Sequence, residues 1–312
     1  MGSMDFALAA RDASRFSPLF ILAPARSYSS VISTMIGQHP QCASLPELKL
    51  FAYPTIGELE ASLPRYWSDR GITHRSPGLV RAIAQFEFGD QSPAALGSAL
   101  SWLSERRHWS GSQIFDVLLE RISPRIAVEK SPENVGDDDA LARLAALYPA
   151  ARFLHLTRHP VMTQRSMQEH IRRTVPGFDL PGQPMSGIAA WVETHCRILK
   201  FAATLPKSRY LCAKAEDILD RPRDQLRLIA EWLALSTTND AIEAMLHPER
   251  SPFATPGPAS TGIVGGLDPG FLNDPVPRSV NAPPKMAMPQ EWADNSSLWL
   301  MTVDMANRLG YQ

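Results

Sequence analysis

The sequence predicts an α/β fold, a parallel β-sheet with helices on both faces. Three observations lead there. Short apolar runs recur along the chain, each too brief for a helix. Of these runs, 19–23 is apolar throughout instead of alternating, as a strand buried on both faces requires. Each is followed by residues at helical spacing, which is the βαβ pattern.

The first run is 19–23, bounded by Pro18 and Pro24. A polar loop from Pro24 to Ser30 follows, and then Val31, Met35 and Ile36 recur at helical spacing with Gly37 as a stop signal. Residues 125–130 read as the second strand and 137–148 as a helix with Leu141, Leu144, Ala145 and Tyr148 on one side. Residues 152–156 form the third strand, and 161–173 the next helix. A long helix over 188–205 turns Trp191, His195, Ile198, Leu199 and Ala202 inward. The fourth strand is 209–213, followed by helical stretches around 216–219 and over 222–234. Residues 51–121 are helical in pattern, punctuated by Pro54, Pro64, Pro77 and Pro93, with Leu96, Leu100 and Leu103 as a stripe. Residues 248–289 shift to Pro and Gly, a long loop of the kind that is functional or disordered. A helix over 291–309 closes the chain.

Bulk properties narrow the function classes. Of 312 residues, 44% are hydrophobic and 20% charged, ordinary for a globular protein. Lys plus Arg is 31 against 32 for Asp plus Glu, a formal net charge of -1. That gives no global basic field for nucleic acid or an anionic membrane, so any positive potential is local to a pocket. Cys42, Cys196 and Cys212 are scattered, without a CxxC pair, which argues for a reducing compartment and against a zinc site. Arg11, Arg15 and the run 19–23 imitate a secretory signal, but that run falls short of the ~7 apolar residues such a signal needs. The expected location is cytoplasmic. No apolar stretch approaches the ~18 residues of a membrane span. Met1-Gly2-Ser3 before Met4 reads as an added remnant, 1–16 as a lead-in, and 17–312 as a single domain.

Strand, polar loop and helix N-terminus together form a phosphate-binding geometry, in which free N–H groups and the helix dipole face the anion. The loop holds one cation, Arg26, and the hydroxyls of Ser27, Tyr28, Ser29 and Ser30. It lacks the Gly-Lys-Ser/Thr ending of the Walker pattern, which argues against ordinary P-loop ATP hydrolysis. A second constellation is Leu156-Thr157-Arg158-His159-Pro160 with Ser166 on the following helix. Arg158 and Ser166 so placed can hold a phosphate by a charge-assisted fork and a hydroxyl bond.

Arg26-Ser27-Tyr28-Ser29-Ser30 resembles the phosphosulfate loop, R-S-G-[ST]-T, of PAPS-dependent sulfotransferases, and Arg158-His159-Pro160 with Ser166 resembles the element that grips the 3′-phosphate of PAPS. His39-Pro40 followed by Glu47 resembles the family's base segment, implying that Glu47 deprotonates the acceptor. Lys130 resembles the lysine of the [DE]-K-[ST]-P segment, implying that it neutralises charge as PAP departs. Lys49 is a weaker candidate for the same pocket. Glu216-Asp217-Ile218-Leu219 resembles a structural segment. Gly265 and Gly266 lie in a stretch, 262–269, similar to the glycine-rich loop that closes over the nucleotide. Arg308-Leu309-Gly310-Tyr311 resembles the ending of bacterial members.

The resemblance implies a P-loop NTPase-like sulfotransferase fold. It also implies transfer of a sulfuryl group from PAPS to a hydroxyl of a small-molecule or glycan acceptor, releasing PAP. Residues 51–121 are then either an acceptor-side cover or a plain structural layer. No His/Asp/Glu cluster has metal spacing, so no metal is expected. The chain departs from the family at Ala25, where Pro is usual, and at Tyr28, where Gly is usual. This leaves open a degenerate, non-catalytic nucleotide-binding member of the fold; a kinase-like phosphoryl transferase is the other alternative.

Overall fold

A computed structural model of the chain describes residues 16–63, 74–174, 186–277, 280, 284–288, 292 and 295–311. The expected lead-in up to residue 15, Pro64, and parts of the 248–289 and 291–309 segments lie outside the described residues.

Five parallel strands form one sheet in the order β2-β3-β1-β4-β5. They are β1 (Leu19–Leu22), β2 (Cys42–Ser44), β3 (Ile126–Glu129), β4 (Arg152–Thr157) and β5 (Tyr210–Lys214). The sequence pointed to β1, β3, β4 and β5 within a residue or two. It gave no sign of β2, whose three residues are too few to display a strand period. The helices are α1 (Ser29–Gly37), α2 (Ile56–Ala61), α3 (Pro77–Glu87), α4 (Pro93–Glu105), α5 (Gly111–Ile122), α6 (Asp138–Leu147), α7 (Pro160–Thr174), α8 (Ser186–Ala202), α9 (Ala215–Asp220), α10 (Pro222–Trp232), α11 (Asn239–Met245), α12 (Pro269–Asn273) and α13 (Ser296–Arg308).

The two-residue period of β1 divides the core. Phe20 and Leu22 face one side, where Phe20 meets the rings of Phe51, Phe115, Tyr148 and Phe153 at 5.7–5.9 Å and α3, α4 and α5 pack over them. Leu19 and Ile21 face the other side and pack with α1, α9, α10 and α11. Each α2–α5 helix opens on a Ser or Thr whose hydroxyl accepts an N–H of the first turn, and at Ser110 the capping box with Gln113 is complete. A third cluster joins α7, α8 and α13 through Trp191, Trp292 and Trp299.

Gly37 is the last residue of α1, where the sequence predicts the stop. It is helical and has no positive φ, so it is not a left-handed stop. Its reason is steric: a Cβ there would lie 2.3 Å from Ser44 Cβ and 2.4 Å from Ser44 N, so α1 could not cross β2. The parallel topology brings the loops after β1, β3 and β4 to one carboxyl edge of the sheet, with β1 between β3 and β4.

Candidate functional site

The loop between β1 and α1 turns through two left-handed residues, Arg26 at φ 68° and Tyr28 at φ 58°. Such positions aim consecutive N–H groups into a concavity that suits an anion. Inside it Ser27 is fully buried, and its hydroxyl has no partner among the described residues. Ser29 and Ser30, also buried, begin α1. The Ser30 carbonyl is held from below by the hydroxyls of Ser33 and Thr34, at 3.0 and 2.8 Å.

The end of β3 supplies the second cation. Lys130 is 3% exposed, and its Nζ donates to Ser30 Oγ at 3.1 Å and to Glu47 Oε1 at 2.5 Å. The Glu47 backbone is fixed on both sides: its N–H donates to Gly266 O at 2.7 Å, and its carbonyl accepts from Ser76 Oγ at 3.0 Å. Close approach explains the glycines here. A Cβ on Gly78 would sit 2.4 Å from Glu47 O, and one on Gly266 (φ 94°) 2.6 Å from Gly78 Cα. Lys49 turns away to pair with Glu133 at 2.9 Å.

Behind Lys130 lies Glu129, fully buried, taking hydrogen bonds from Ser131 Oγ and Asn134 Nδ2. Burial pushes its carboxyl up to about 7, against the opposing pull of those two bonds and of Lys130. Ser131 in turn accepts the Lys49 N–H at 3.0 Å, so one hydroxyl ties the strand end to the Glu47 loop.

The end of β4 supplies the third cation. Arg158 donates from Nη1 to Arg26 O at 2.6 Å and from Nη2 to the Tyr28 hydroxyl at 3.0 Å, with its guanidinium 4.0 Å from the Tyr28 ring centroid. Its Nε is buried without an acceptor among the described residues. Burial lowers the pKa of this guanidinium. Its backbone is clamped as well. Trp191 Nε1 donates to Arg158 O at 2.9 Å, and His159 N–H donates to Glu216 Oε1 at 2.8 Å. The other Glu216 oxygen accepts from Tyr311, whose hydroxyl is also 2.9 Å from Thr157 Oγ1. Glu216 and Tyr311 are therefore structural supports of the Arg158 turn.

Arg26 bridges the two halves: its Nε donates to Ser166 Oγ at 3.2 Å, and its Nη1 pairs with Asp268 Oδ2. The Asp268 N–H donates to Ser30 Oγ at 3.0 Å, and its Oδ1 caps α12 through Gly270 and Phe271. Thus Arg26, Tyr28, Ser30, Glu47, Lys130, Arg158, Ser166 and the Gly266 backbone come together. Gly265 lies one residue back, with its N–H donated to Pro256 O at 2.8 Å and its carbonyl accepting from the buried Arg81 at 2.6 Å.

The model of the sulfotransferase family matches residues 18–240. The chain belongs to the sulfotransferase family. Among solved structures, the sulfotransferase domain from the curacin biosynthetic pathway is 22% identical with a TM-score of 0.73, covering 95% of this chain and 98% of that one. The sulfotransferase domain of the Synechococcus PCC 7002 olefin synthase is 24% identical with a TM-score of 0.68, covering 95% and 96%. A sulfotransferase from Alicyclobacillus acidocaldarius is 12% identical with a TM-score of 0.53, again covering 95% and 96%. No curated protein matches the chain.

The parallel α/β fold is thus that of the bacterial sulfotransferases. Among the described residues of this sulfotransferase, no group of His, Cys, Asp and Glu is arranged to hold a metal ion, and no helix is long and apolar enough to cross a membrane. Three residues at its site went unassigned from the sequence. Asp268 stood in the glycine-rich stretch without a role, because its partners lie 242 and 238 positions away. Glu129 was only the first letter of a lysine motif. His170 carries a legible signal, four residues after Ser166 and so on the same helical face. Burial lowers its pKa, as does the charge of Arg26, while Asp268 opposes them. His155 is a core residue, buried and bonded to Tyr210 and His195 at 2.7 Å each.

Proposed function

We propose that this sulfotransferase takes PAPS as donor and moves its sulfuryl group to a hydroxyl of a small-molecule or glycan acceptor, releasing PAP, as one cytoplasmic domain over 17–312. The observation that supports this most is the convergence of three cations from three strand ends, Arg26, Lys130 and Arg158, around the hydroxyls of Ser30 and Ser166, with the Glu47 carboxylate at the rim. The donor set fits a bisphosphorylated nucleotide: the buried Ser27 Oγ and Arg158 Nε are polar atoms without partners among the described residues.

In this reading Glu47 takes the proton of the acceptor hydroxyl as the new O–S bond forms. The bond from sulfur to the 5′-phosphate oxygen breaks, and Lys130 and Arg26 meet the charge left on that oxygen. Ser29, Ser30 and the loop N–H groups hold the 5′ side, and Arg158 and Ser166 the 3′-phosphate. Sulfuryl transfer resembles phosphoryl transfer in needing mainly position and fixed charge. Lys130 suits both tasks, since one ammonium orients the base and the phosphate loop together.

Calorimetric titration of PAP without metal, with ATP and ADP as controls, tests the donor. Metal-independent PAP binding weakened by both Arg158→Ala and Ser166→Ala supports it; absence of PAP binding overturns it. A degenerate, non-catalytic member is the second reading. It is favoured by the occupation of both Arg158 Nη groups by Arg26 O and Tyr28 OH, and it predicts PAP binding, or none, without transfer.

A further inference from the structure

Tyr28 stands at a costly backbone position. A non-glycine residue at φ 58° is strained and persists only where its surroundings hold it. Here the hold is the side chain. The ring lies 4.0 Å from the Arg158 guanidinium, and the hydroxyl oxygen accepts from Arg158 Nη2 at 3.0 Å. Arg158 is only 7% exposed and is turned toward the loop, with Nη1 on the Arg26 carbonyl. Tyr28 itself is half-buried.

A hydroxyl that accepts from a cation becomes a stronger donor through its own proton. No described residue accepts the proton of Tyr28. The same loop carries Arg26, whose Nε reaches Ser166 Oγ at 3.2 Å, so a second cation and another hydroxyl meet at this loop.

Resting on the donor assignment above, we propose that Tyr28 is a ligand of the 3′-phosphate of the donor nucleotide. Its O–H donates to a phosphate oxygen, and Arg158 acts from behind the hydroxyl. Discrimination between a nucleotide with and without a 3′-phosphate then resides at Tyr28 together with Ser166.

Calorimetry of PAP and of AMP, which lacks the 3′-phosphate, against the wild-type chain, Tyr28→Phe and Tyr28→Gly decides it. Tyr28→Phe keeps the ring on Arg158 and removes one charge-directed hydrogen bond. It should weaken PAP by about tenfold or more and leave AMP unchanged, which also reports an intact fold. Tyr28→Gly relieves the backbone and should bind PAP no better than Tyr28→Phe. Unchanged PAP binding by Tyr28→Phe, an equal loss of PAP and AMP, or a glycine variant tighter than wild type each overturns the proposal and leaves the donor assignment standing. If the wild-type chain binds no PAP, the donor assignment falls and this inference falls with it.

Discussion

Replacing Glu129 by Gln should remove a defined pH dependence from the stability of this protein. The carboxyl is fully buried and held up to about 7, against an ordinary 4.5 in the unfolded chain. Between these values the folded state keeps a proton that the unfolded state has lost, so stability falls as pH rises. The stabilisation is complete below pH 4.5 and gone above about 7. At 1.36 kcal/mol per pKa unit the whole span comes to about 3 kcal/mol. Gln fits the same partners. Ser131 can still donate to its carbonyl oxygen, and Asn134, whose Oδ1 has no partner among the described residues, can turn to accept from the new amide. Urea unfolding of both proteins at pH 5 and pH 8 measures the effect. Glu129→Gln should gain on wild type by about 3 kcal/mol between the two conditions. A stability difference that does not change from pH 5 to pH 8 would refute a Glu129 pKa raised by burial.

Three further outcomes are expected. Glu47→Gln should lower sulfuryl transfer to a panel of alcohols by about 10²–10⁴ without weakening PAP binding; a variant with normal turnover would remove Glu47 as base. Asp268→Asn keeps the oxygen that caps α12 and removes a negative charge that competes for Arg26, so PAP should bind about tenfold tighter at low salt and less so at high salt. Weaker binding would instead make Asp268 a support for Arg26. Gly37→Ala places a methyl against the Ser44 backbone and should destabilise the fold by about 1–3 kcal/mol in urea; a neutral result would show that α1 and β2 can slide apart freely.

The parts of this structure visible in the sequence are those written in consecutive residues. β1 and α1 are legible because an apolar run between two prolines, a hydroxyl-rich loop and a helical repeat follow one another without interruption. The Arg158 turn is legible for the same reason, as a strand followed by Pro160 at the first helical position. β2 is not, since its three residues are a strand only because β3 lies beside them. Gly37 is legible as the end of α1, but its second role is not, because the atoms that forbid a side chain there belong to Ser44 across the turn. Tyr28 is legible as a departure from a loop in which Gly is usual. What its own position does not disclose is that Arg158, 130 residues later, supplies both a face for its ring and a donor for its oxygen.

The ties that build this site span long stretches of chain: 83 residues for Glu47 to Lys130, 132 for Arg26 to Arg158, 154 for Thr157 to Tyr311 and 242 for Arg26 to Asp268. Each closes a loop whose entropy must be overcome before the contact rewards it. Helices capped by their own neighbours, as at Ser110, form from local sequence and face no such delay. During refolding from denaturant, helical signal should therefore return well ahead of nucleotide binding. Folded-looking material and competent material are then separate quantities for this enzyme. On the proposed donor assignment, a preparation is scored by the fraction of chains that titrate with PAP, since a chain can regain its secondary structure while Asp268 and Tyr311 have yet to reach the carboxyl edge of the sheet.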